Sequence, residues 1–479
     1  MEATLTQVDV EQIVREALAT WGVPGASVTV VQGEQVLAQG VGVKDIRTGD
    51  AVTPDTLFAI ASVTKAFTTC AMAMLVDEGK LGWDDPVRKH LPWFRLSDPL
   101  ADANVTVRDL VTHRTGLSRH DMFWYQSPWG REEIVRKCGL VELTKPFRSA
   151  YQYNNNMFVA AGLVIEAITG GPWEAFIQER IFDPLAMNTA DCSSSIAEQA
   201  PDHATPHRKR RGQPLTPIPW LRFDSEGPGG TINASAREMG AWLRLQLANG
   251  TFDGRRLVSE ENLQETRTPQ MVIRTDAAEK PILELSETTQ QTYGMGWTIW
   301  DYRGHGIHSH GGAIDGFRSV LALVPRRKLG VVVLVNGSPT NAHVAIRNTL
   351  LDRLLGLEPK DWNGLLKEQF DQALAKEVEK EQERAGKRRS DTRPSRETEV
   401  YQGEYAHPAY GLARVEGEGD GLTLAWNSFR LPLAHWHHDT FLLKDEDAGV
   451  DELVRFALDA DGNVTSLELW KQTFRRGQV

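Results

Sequence analysis

Strand-forming runs stand at both ends of the first 357 residues, and a long helical stretch lies between them. Residues 26–31 and 35–43 are rich in valine and flank the turn residues Gln32-Gly33-Glu34, which predicts a paired hairpin. Strand patterns return at 293–301, 306–310, 317–324 and 330–335. Between them, 109–113, 156–169, 173–181 and 236–248 carry helical periodicity. That order implies a sheet domain of the α/β sandwich kind, built from both ends of the segment, with a helical subdomain inserted at about 66–250. Residues 342–357 read as its closing helix.

Beyond this segment the pattern changes twice. Residues 366–399 are dense in mixed charge, with Lys376-Glu377-Val378-Glu379-Lys380-Glu381 and Lys387-Arg388-Arg389, and are too poor in apolar residues for a core. They predict a solvated helix decaying into a linker at 390–396. Short strand patterns follow at 400–406, 411–415, 422–426, 431–435, 440–443, 453–458 and 464–470, with turn signals such as Asp461-Gly462-Asn463. Such spacing predicts a small antiparallel barrel or sandwich. The expected plan is a first domain at 1–357, a charged helical linker at 358–398 and a β domain at 399–479.

Composition closes off several function classes. The net charge of −11 disfavours a general nucleic-acid or anionic-membrane binder. Three cysteines, Cys70, Cys138 and Cys192, supply neither a disulfide framework nor a C-x-x-C metal spacing. Residues 1–17 lack the apolar core of a signal peptide, so a cytoplasmic location is expected unless a leader was trimmed. No membrane span and no membrane partner are expected.

Chemistry concentrates in three places. Ser62-Val63-Thr64-Lys65 follows the apolar run Leu57-Phe58-Ala59-Ile60-Ala61 and opens a helical pattern through Ala66, Phe67, Cys70, Met74 and Leu75. Positions i and i+3 share a helix face, so Lys65 can reach Ser62. A serine needs a base to become a nucleophile, and a lysine serves where its surroundings disfavour the ammonium form. The helix start also supplies unpaired N–H groups for a developing oxyanion. Tyr153-Asn154-Asn155 stands just before the helix starting near Asn156, where a phenol can share a proton with lysine and serine and an amide can meet a substrate carbonyl. His310-Gly311-Gly312-Ala313 ends a strand pattern, and its glycines allow a substrate close to the backbone. The N–H of Ala313 is then a candidate partner for that of Ser62 in an oxyanion hole.

An early S-x-x-K, a central Y-x-N and a late H-G-G, in this order, resemble the serine β-lactamase and penicillin-binding protein superfamily. The type is that of class C β-lactamases, D-alanyl-D-alanine carboxypeptidases, family VIII esterases and peptidase family S12. The segment ending His113-Arg114-Thr115-Gly116-Leu117 resembles the family's H-x-S-G-L. Pro184-Leu185-Ala186-Met187 resembles its P-L-G-M, and Gly229-Gly230-Thr231-Ile232-Asn233-Ala234 its G-G-L-x-S-T. Residues after 399 resemble the lipocalin-like β domain appended to some S12 members, through Tyr401-Gln402-Gly403-Glu404-Tyr405 and Leu433-Ala434-His435-Trp436.

The resemblance implies an α+β fold with an antiparallel sheet flanked by helices. It implies Ser62 as the acylated nucleophile, with Lys65 and Tyr153 sharing the acid–base work. Asn155 and His310 would then bind substrate, and Ser62 and Ala313 would hold the oxyanion. Neither metal nor organic cofactor is implied. One departure matters. Relatives acting on β-lactams carry lysine where this chain has His310, and imidazole is mostly neutral near pH 7. Carboxylate anchoring is thereby weakened, which favours esters or small peptides and amides over typical β-lactams. A D-amino-acid-specific peptidase, a weak β-lactamase and a non-catalytic penicillin-binding scaffold remain as alternatives, and a homo-oligomer is left open. His305, His308 and His310 invite a metal, since positions i and i+2 on a strand share a face, but a zinc site usually needs further ligands at good geometry. His435, His437 and His438, beside Trp436, read as surface histidines at a strand edge. The aromatic loop with Met122, Phe123, Trp124, Tyr125 and Trp129 fits equally a substrate wall and ordinary packing.

Overall fold

The computed structural model describes residues 7–274, 288 and 290–477 apart from 420 and 448, so the leaderless start expected at 1–17 lies partly outside the described residues. The chain divides into two compact units, Met1–Asp121 with Arg131–Asp371, and Met122–Gly130 with Gln372–Val479.

The first unit is an α+β sandwich. Its sheet contains β1 (Gly25–Gln32), β2 (Gln35–Gly42), β3 (Met271–Val272), β4 (Gln291–Tyr293), β5 (Thr298–Tyr302), β6 (His305–Ile314), β7 (Phe317–Val324) and β8 (Leu329–Val335). Their order across the sheet is β2-β1-β8-β7-β6-β5-β4-β3, and every neighbouring pair is antiparallel. The hairpin from the chain's start thus joins the meander from its end through β1 and β8, with Ala26 opposite Val335.

Alternation along β1 explains why both faces are covered. Ala26, Val28 and Val30 pack with Val331, Val333 and Val335 into a core closed by α1 (Gln7–Trp21) and the helix Ala342–Leu355. Ser27 and Thr29 point the other way, and Thr29 Oγ1 donates to the Ala236 carbonyl at the start of the helix Ala236–Leu247. That helix opens on a capping box between Ser235 and Glu238. The remaining helices that matter to the site are α2 (Thr64–Asp77) and α3 (Asn156–Thr169), both lined by buried residues.

Several sequence expectations shift at their edges. The strand expected at 293–301 is two strands, because Gly294 to Trp297 turn the chain and Gly296 adopts φ 75°. The helix expected at 109–113 ends at Leu110, and His113 takes a left-handed φ of 55°. The strand containing His310 runs on to Ile314, so the H-G-G sequence lies within it rather than at its end. The charged helix begins at Trp362, not at 366, and both Trp362 and Leu366 are buried in the core of the first unit. Trp362 Nε1 donates to Asp352 at 2.7 Å, which anchors this end of a helix that the charge pattern made wholly solvated.

The second unit contains a closed antiparallel barrel of eight strands, Gly403–His407, Gly411–Glu418, Gly421–Trp426, Phe429–His437, Thr440–Asp445, Val450–Leu458, Val464–Leu469 and Gln472–Arg476. Seven strands were legible in the sequence. The eighth, Gln472–Arg476, is polar and follows a turn in which Trp470 and Lys471 both take positive φ. Residues 398–401 form a short helix in place of the start of the expected first strand. The segment Met122–Gly130 belongs to this unit: Phe123 packs on Tyr410 at 4.9 Å and Trp129 on Trp426 at 6.0 Å. The aromatic loop is thus packing for the barrel unit.

Candidate active site

A turn, not a helix, carries Ser62. The strand Leu57–Ala59 pairs with Asn233–Ser235, and the Ile60 N–H donates to Ile232 at 3.0 Å. Ala61 then takes a left-handed φ of 47°, a conformation that costs a non-glycine residue about 1–2 kcal/mol. Ser62 sits in the 3-10 turn Ala61–Val63 that runs into α2. The helix therefore starts just after the serine, yet the i, i+3 relation is kept. Lys65 Nζ lies 3.2 Å from Ser62 Oγ.

Lys65 is fully buried. Its Nζ donates to Asn155 Oδ1 at 2.8 Å and to the Gly229 carbonyl at 2.6 Å. With Ser62 these three partners use every proton of an ammonium. In the neutral amine the third contact reverses, and the Ser62 hydroxyl donates to the lone pair. The Gly229 carbonyl is held by the turn at 227–229, which Thr68 of α2 also grips through the Pro228 carbonyl at 2.6 Å.

The two asparagines before α3 divide their work. Asn154 caps the helix, its Oδ1 accepting from the Met157 N–H at 3.0 Å. Asn155 is thereby left for Lys65, and its Nδ2 donates to Asp121 at 3.1 Å. The Tyr153 ring centroid lies 5.0 Å from Lys65 Nζ and 6.3 Å from the His310 ring. Among the described residues its hydroxyl makes no hydrogen bond. Tyr153 is brought to the ammonium through its ring, and its oxygen is left for an incoming group.

His310 is buried within β6. Its Nδ1 donates to the Gly311 carbonyl at 2.7 Å, and its Nε2 accepts from the Tyr293 hydroxyl at 3.0 Å. Burial, reinforced by the Lys65 charge, pushes the imidazole down to about 3. His310 is neutral at pH 7, and both nitrogens are engaged. Gly312 is where β6 meets the turn carrying Ser62, since a Cβ there would collide with the Ile60 carbonyl and Ser319 Oγ. Pairing between β5 and β6 stops at Ser309. From His310 to Ile314, β6 is laddered only to β7 among the described residues, and Gly311 and Ala313 are exposed. The edge that would hold the Ala313 N–H for an oxyanion is thus not taken by another strand.

Three side chains at the site were given no role by the sequence reading, which named His113 only as part of a family-like segment. Tyr293, which fixes His310, opens Tyr293-Gly294-Met295-Gly296-Trp297, whose spaced glycines were a usable signal. The His113 ring lies tilted against Tyr153 at 4.2 Å and Tyr293 at 4.6 Å between centroids, and burial holds it well below the usual histidine range. Glu226 folds onto Gly229 and Gly230, where any Cβ would strike its carboxyl oxygens. Burial pushes this carboxyl up to about 8, against the opposing field of Lys65.

The chain's sequence matches the Beta-lactamase family over residues 10–355 and a domain of unknown function, DUF3471, over 387–477. Unguisins hydrolase ungD of Aspergillus violaceofuscus is 28% identical over 371 residues, which cover 74% of this chain and 65% of that protein. The chain therefore spans just under two thirds of that relative. Penicillin-binding protein 4 of Amycolatopsis lactamdurans is 28% identical over 344 residues, covering 70% of this chain and 87% of its own. In fold, the octameric penicillin-binding protein homologue from Pyrococcus abyssi is similar at a TM-score of 0.63 and 22% identity, covering 98% of this chain and 99% of its own. The D-amino acid amidase from Ochrobactrum anthropi SV3 is similar at 0.59 and 21%, covering 72% of this chain and 96% of its own.

Proposed function

The chain belongs to the Beta-lactamase family, and from that premise we propose that it is a serine hydrolase acting on esters or small peptides and amides through an acyl-enzyme on Ser62. The observation that carries this reading is the convergence of Ser62 Oγ, Asn155 Oδ1 and the Gly229 carbonyl on Lys65 Nζ. Ser62 Oγ attacks the substrate carbonyl carbon and its proton passes to the coupled Lys65–Tyr153 unit. The N–H groups of Ser62 and Ala313 receive the oxyanion. As the tetrahedral intermediate collapses, that unit returns the proton to the departing alkoxide or amine. Water then attacks the acyl carbon, gives up a proton by the same route and frees Ser62.

The neutral His310 argues against a substrate whose carboxylate needs a cation at that position. Esters and amides without that demand fit better than typical β-lactams. Treatment with a fluorophosphonate or a penicillin, followed by intact mass, tests the nucleophile. The wild type gains one adduct and Ser62→Ala gains none. An unmodified wild type, or equal labelling of both, overturns the assignment. Rates on p-nitrophenyl esters, a D-alanine anilide and a chromogenic cephalosporin then separate esterase, D-specific peptidase and β-lactamase activity. Fastest turnover of the cephalosporin would overturn the argument from His310.

A further inference from the structure

Two basic side chains stand within about 5 Å of the Tyr153 ring centroid, and one of them has no place in the reaction described above. The Arg119 guanidinium carbon stands 4.9 Å from the centroid of that ring, and Lys65 Nζ stands 5.0 Å from it. Asp121 links Arg119 to the rest of the site. Its Oδ2 accepts from Arg119 Nε at 2.6 Å, and its Oδ1 accepts from Asn155 Nδ2 at 3.1 Å. A circuit results, running from Lys65 to Asn155, Asp121, Arg119 and the Tyr153 ring.

We propose that Asp121 and Arg119 are positioning residues of this acyl-transfer site: Asp121 orients the Asn155 amide, and Arg119 holds a fixed positive charge on Tyr153. The proposal rests on the reading of Ser62, Lys65 and Tyr153 as the reacting unit.

An asparagine amide can present either its oxygen or its nitrogen to a given neighbour. Lys65 accepts only an acceptor opposite it, and the Asp121 carboxylate accepts only a donor. One orientation of Asn155 satisfies both, so Asp121 excludes the flipped amide that would turn two N–H donors on Lys65. Residues 118–121 are themselves held in place. Asn154 Nδ2 donates to the Ser118 carbonyl, and Asn156 Nδ2 donates to the carbonyls of Arg119 and His120 at 3.0 and 3.3 Å. Three consecutive asparagines thus fasten this segment to the start of α3.

Arg119 acts through charge. A fixed cation favours the deprotonated form of a phenol and of an ammonium alike. The groups around Lys65 and Tyr153 are Arg119 with its partner Asp121, Glu226, Tyr151, Tyr293 and the neutral imidazoles of His113 and His310. Lys65 and Arg119 are the basic groups here, and Lys65 can take a proton as base only from its neutral form. Arg119 then supplies the positive field that remains. Its side chain is 57% exposed, so solvent screens part of that field.

The test uses the full-length protein and kcat/KM on a p-nitrophenyl ester across pH 5–10. Arg119→Met is expected to move the acid limb of the profile upward by roughly 0.5–1 pH unit, and Arg119→Lys to restore most of it. Asp121→Ala is expected to lower kcat at least about tenfold with KM changed less than about threefold, because the reacting unit and not substrate docking is disturbed. Asp121→Asn keeps an acceptor for Asn155 and should fall between. Unshifted limbs in both Arg119 variants overturn the proposal, as does kcat within about twofold of wild type in Asp121→Ala. Should Asp121→Ala fail to fold, the exposed Arg119 pair decides alone. A wild type that no fluorophosphonate labels at Ser62 would instead sink the acyl-transfer reading itself.

Discussion

Tyr293 donates its phenolic hydrogen to Nε2 of His310, 3.0 Å away, and both residues are buried. The acceptor role of Nε2 places the ring proton on Nδ1, where it meets the Gly311 carbonyl. His310 is therefore wired as a neutral strut of β6.

Tyr293→Phe removes the donor and strands Nε2 of His310 away from water. An unsatisfied buried acceptor costs about 1–3 kcal/mol. Urea unfolding at pH 7 should show a loss of that size. An unchanged midpoint would mean that the hydrogen bond does not fix His310.

Lys65→Met keeps the length and apolar body of the side chain but leaves Asn155 Oδ1 and the Gly229 carbonyl without their donor. Under the proposed mechanism it also removes one half of the Lys65–Tyr153 unit that takes the Ser62 proton. Acylation by a p-nitrophenyl ester should slow by on the order of 10³-fold or more. Single-turnover kinetics check this, and a loss under tenfold would place the base elsewhere.

Gly312 and Gly311 are neighbours with opposite tolerances. A Cβ on Gly312 strikes the Ile60 carbonyl, two residues before Ser62, whereas the nearest atom to a Cβ on Gly311 is the Ser319 carbonyl oxygen at 3.8 Å. Gly312→Ala should destabilise the protein by about 1–3 kcal/mol through overpacking and should slow acylation by displacing the nucleophile turn. Gly311→Ala should leave the melting temperature within about 1 °C of wild type. Equal melting temperatures in the two variants would contradict the close approach of β6 to Ile60.

The sandwich was legible because its signals are local and repeated. Valine-rich alternation marks β1, β7 and β8, and their burial on both faces follows from helices that the sequence also marks. Ser62 and Lys65 were legible because their i, i+3 spacing at a helix start brings them together, and Asn155 because it stands with Tyr153 at a loop–helix junction in the order of the resemblance, although its contact with Lys65 spans 90 residues. Tyr293, Arg119, Asp121 and Glu226 were not. Tyr293 reaches His310 across 17 residues and Asp121 reaches Asn155 across 34, Glu226 folds back on the neighbouring Gly229 turn, and a single charged or aromatic residue carries no periodicity. The eighth barrel strand escaped for a related reason: barrel closure stabilises a polar strand that has little apolar pattern of its own.

Glu226 gives the molecule an alkaline limit to its stability. Burial pushes its carboxyl from 4.5 up to about 8, and that of Asp191 from 3.8 up to about 6. Between pH 4.5 and 8 the folded chain keeps a proton on Glu226 that the unfolded chain releases, so this contribution is full below 4.5 and is lost as pH rises through 8. The buried histidines act in the opposite sense. His310 and His343 are pushed from 6.5 down to about 3, and His308 to about 4. Below pH 6.5 the unfolded chain binds protons that these folded rings do not, so their contribution is present above 6.5 and fades as pH falls towards 3. Stability should therefore peak near pH 6.5 and decline on both sides. On the alkaline side, between 6.5 and 8, Glu226 sets the slope, at most about 1.4 kcal/mol per pH unit for one proton. Urea unfolding of wild type and Glu226→Gln across this window checks it, because the glutamine keeps the volume and cannot ionise. The variant should show a flat line where the wild type falls, and parallel declines in the two proteins would show that Glu226 is not the group that ionises.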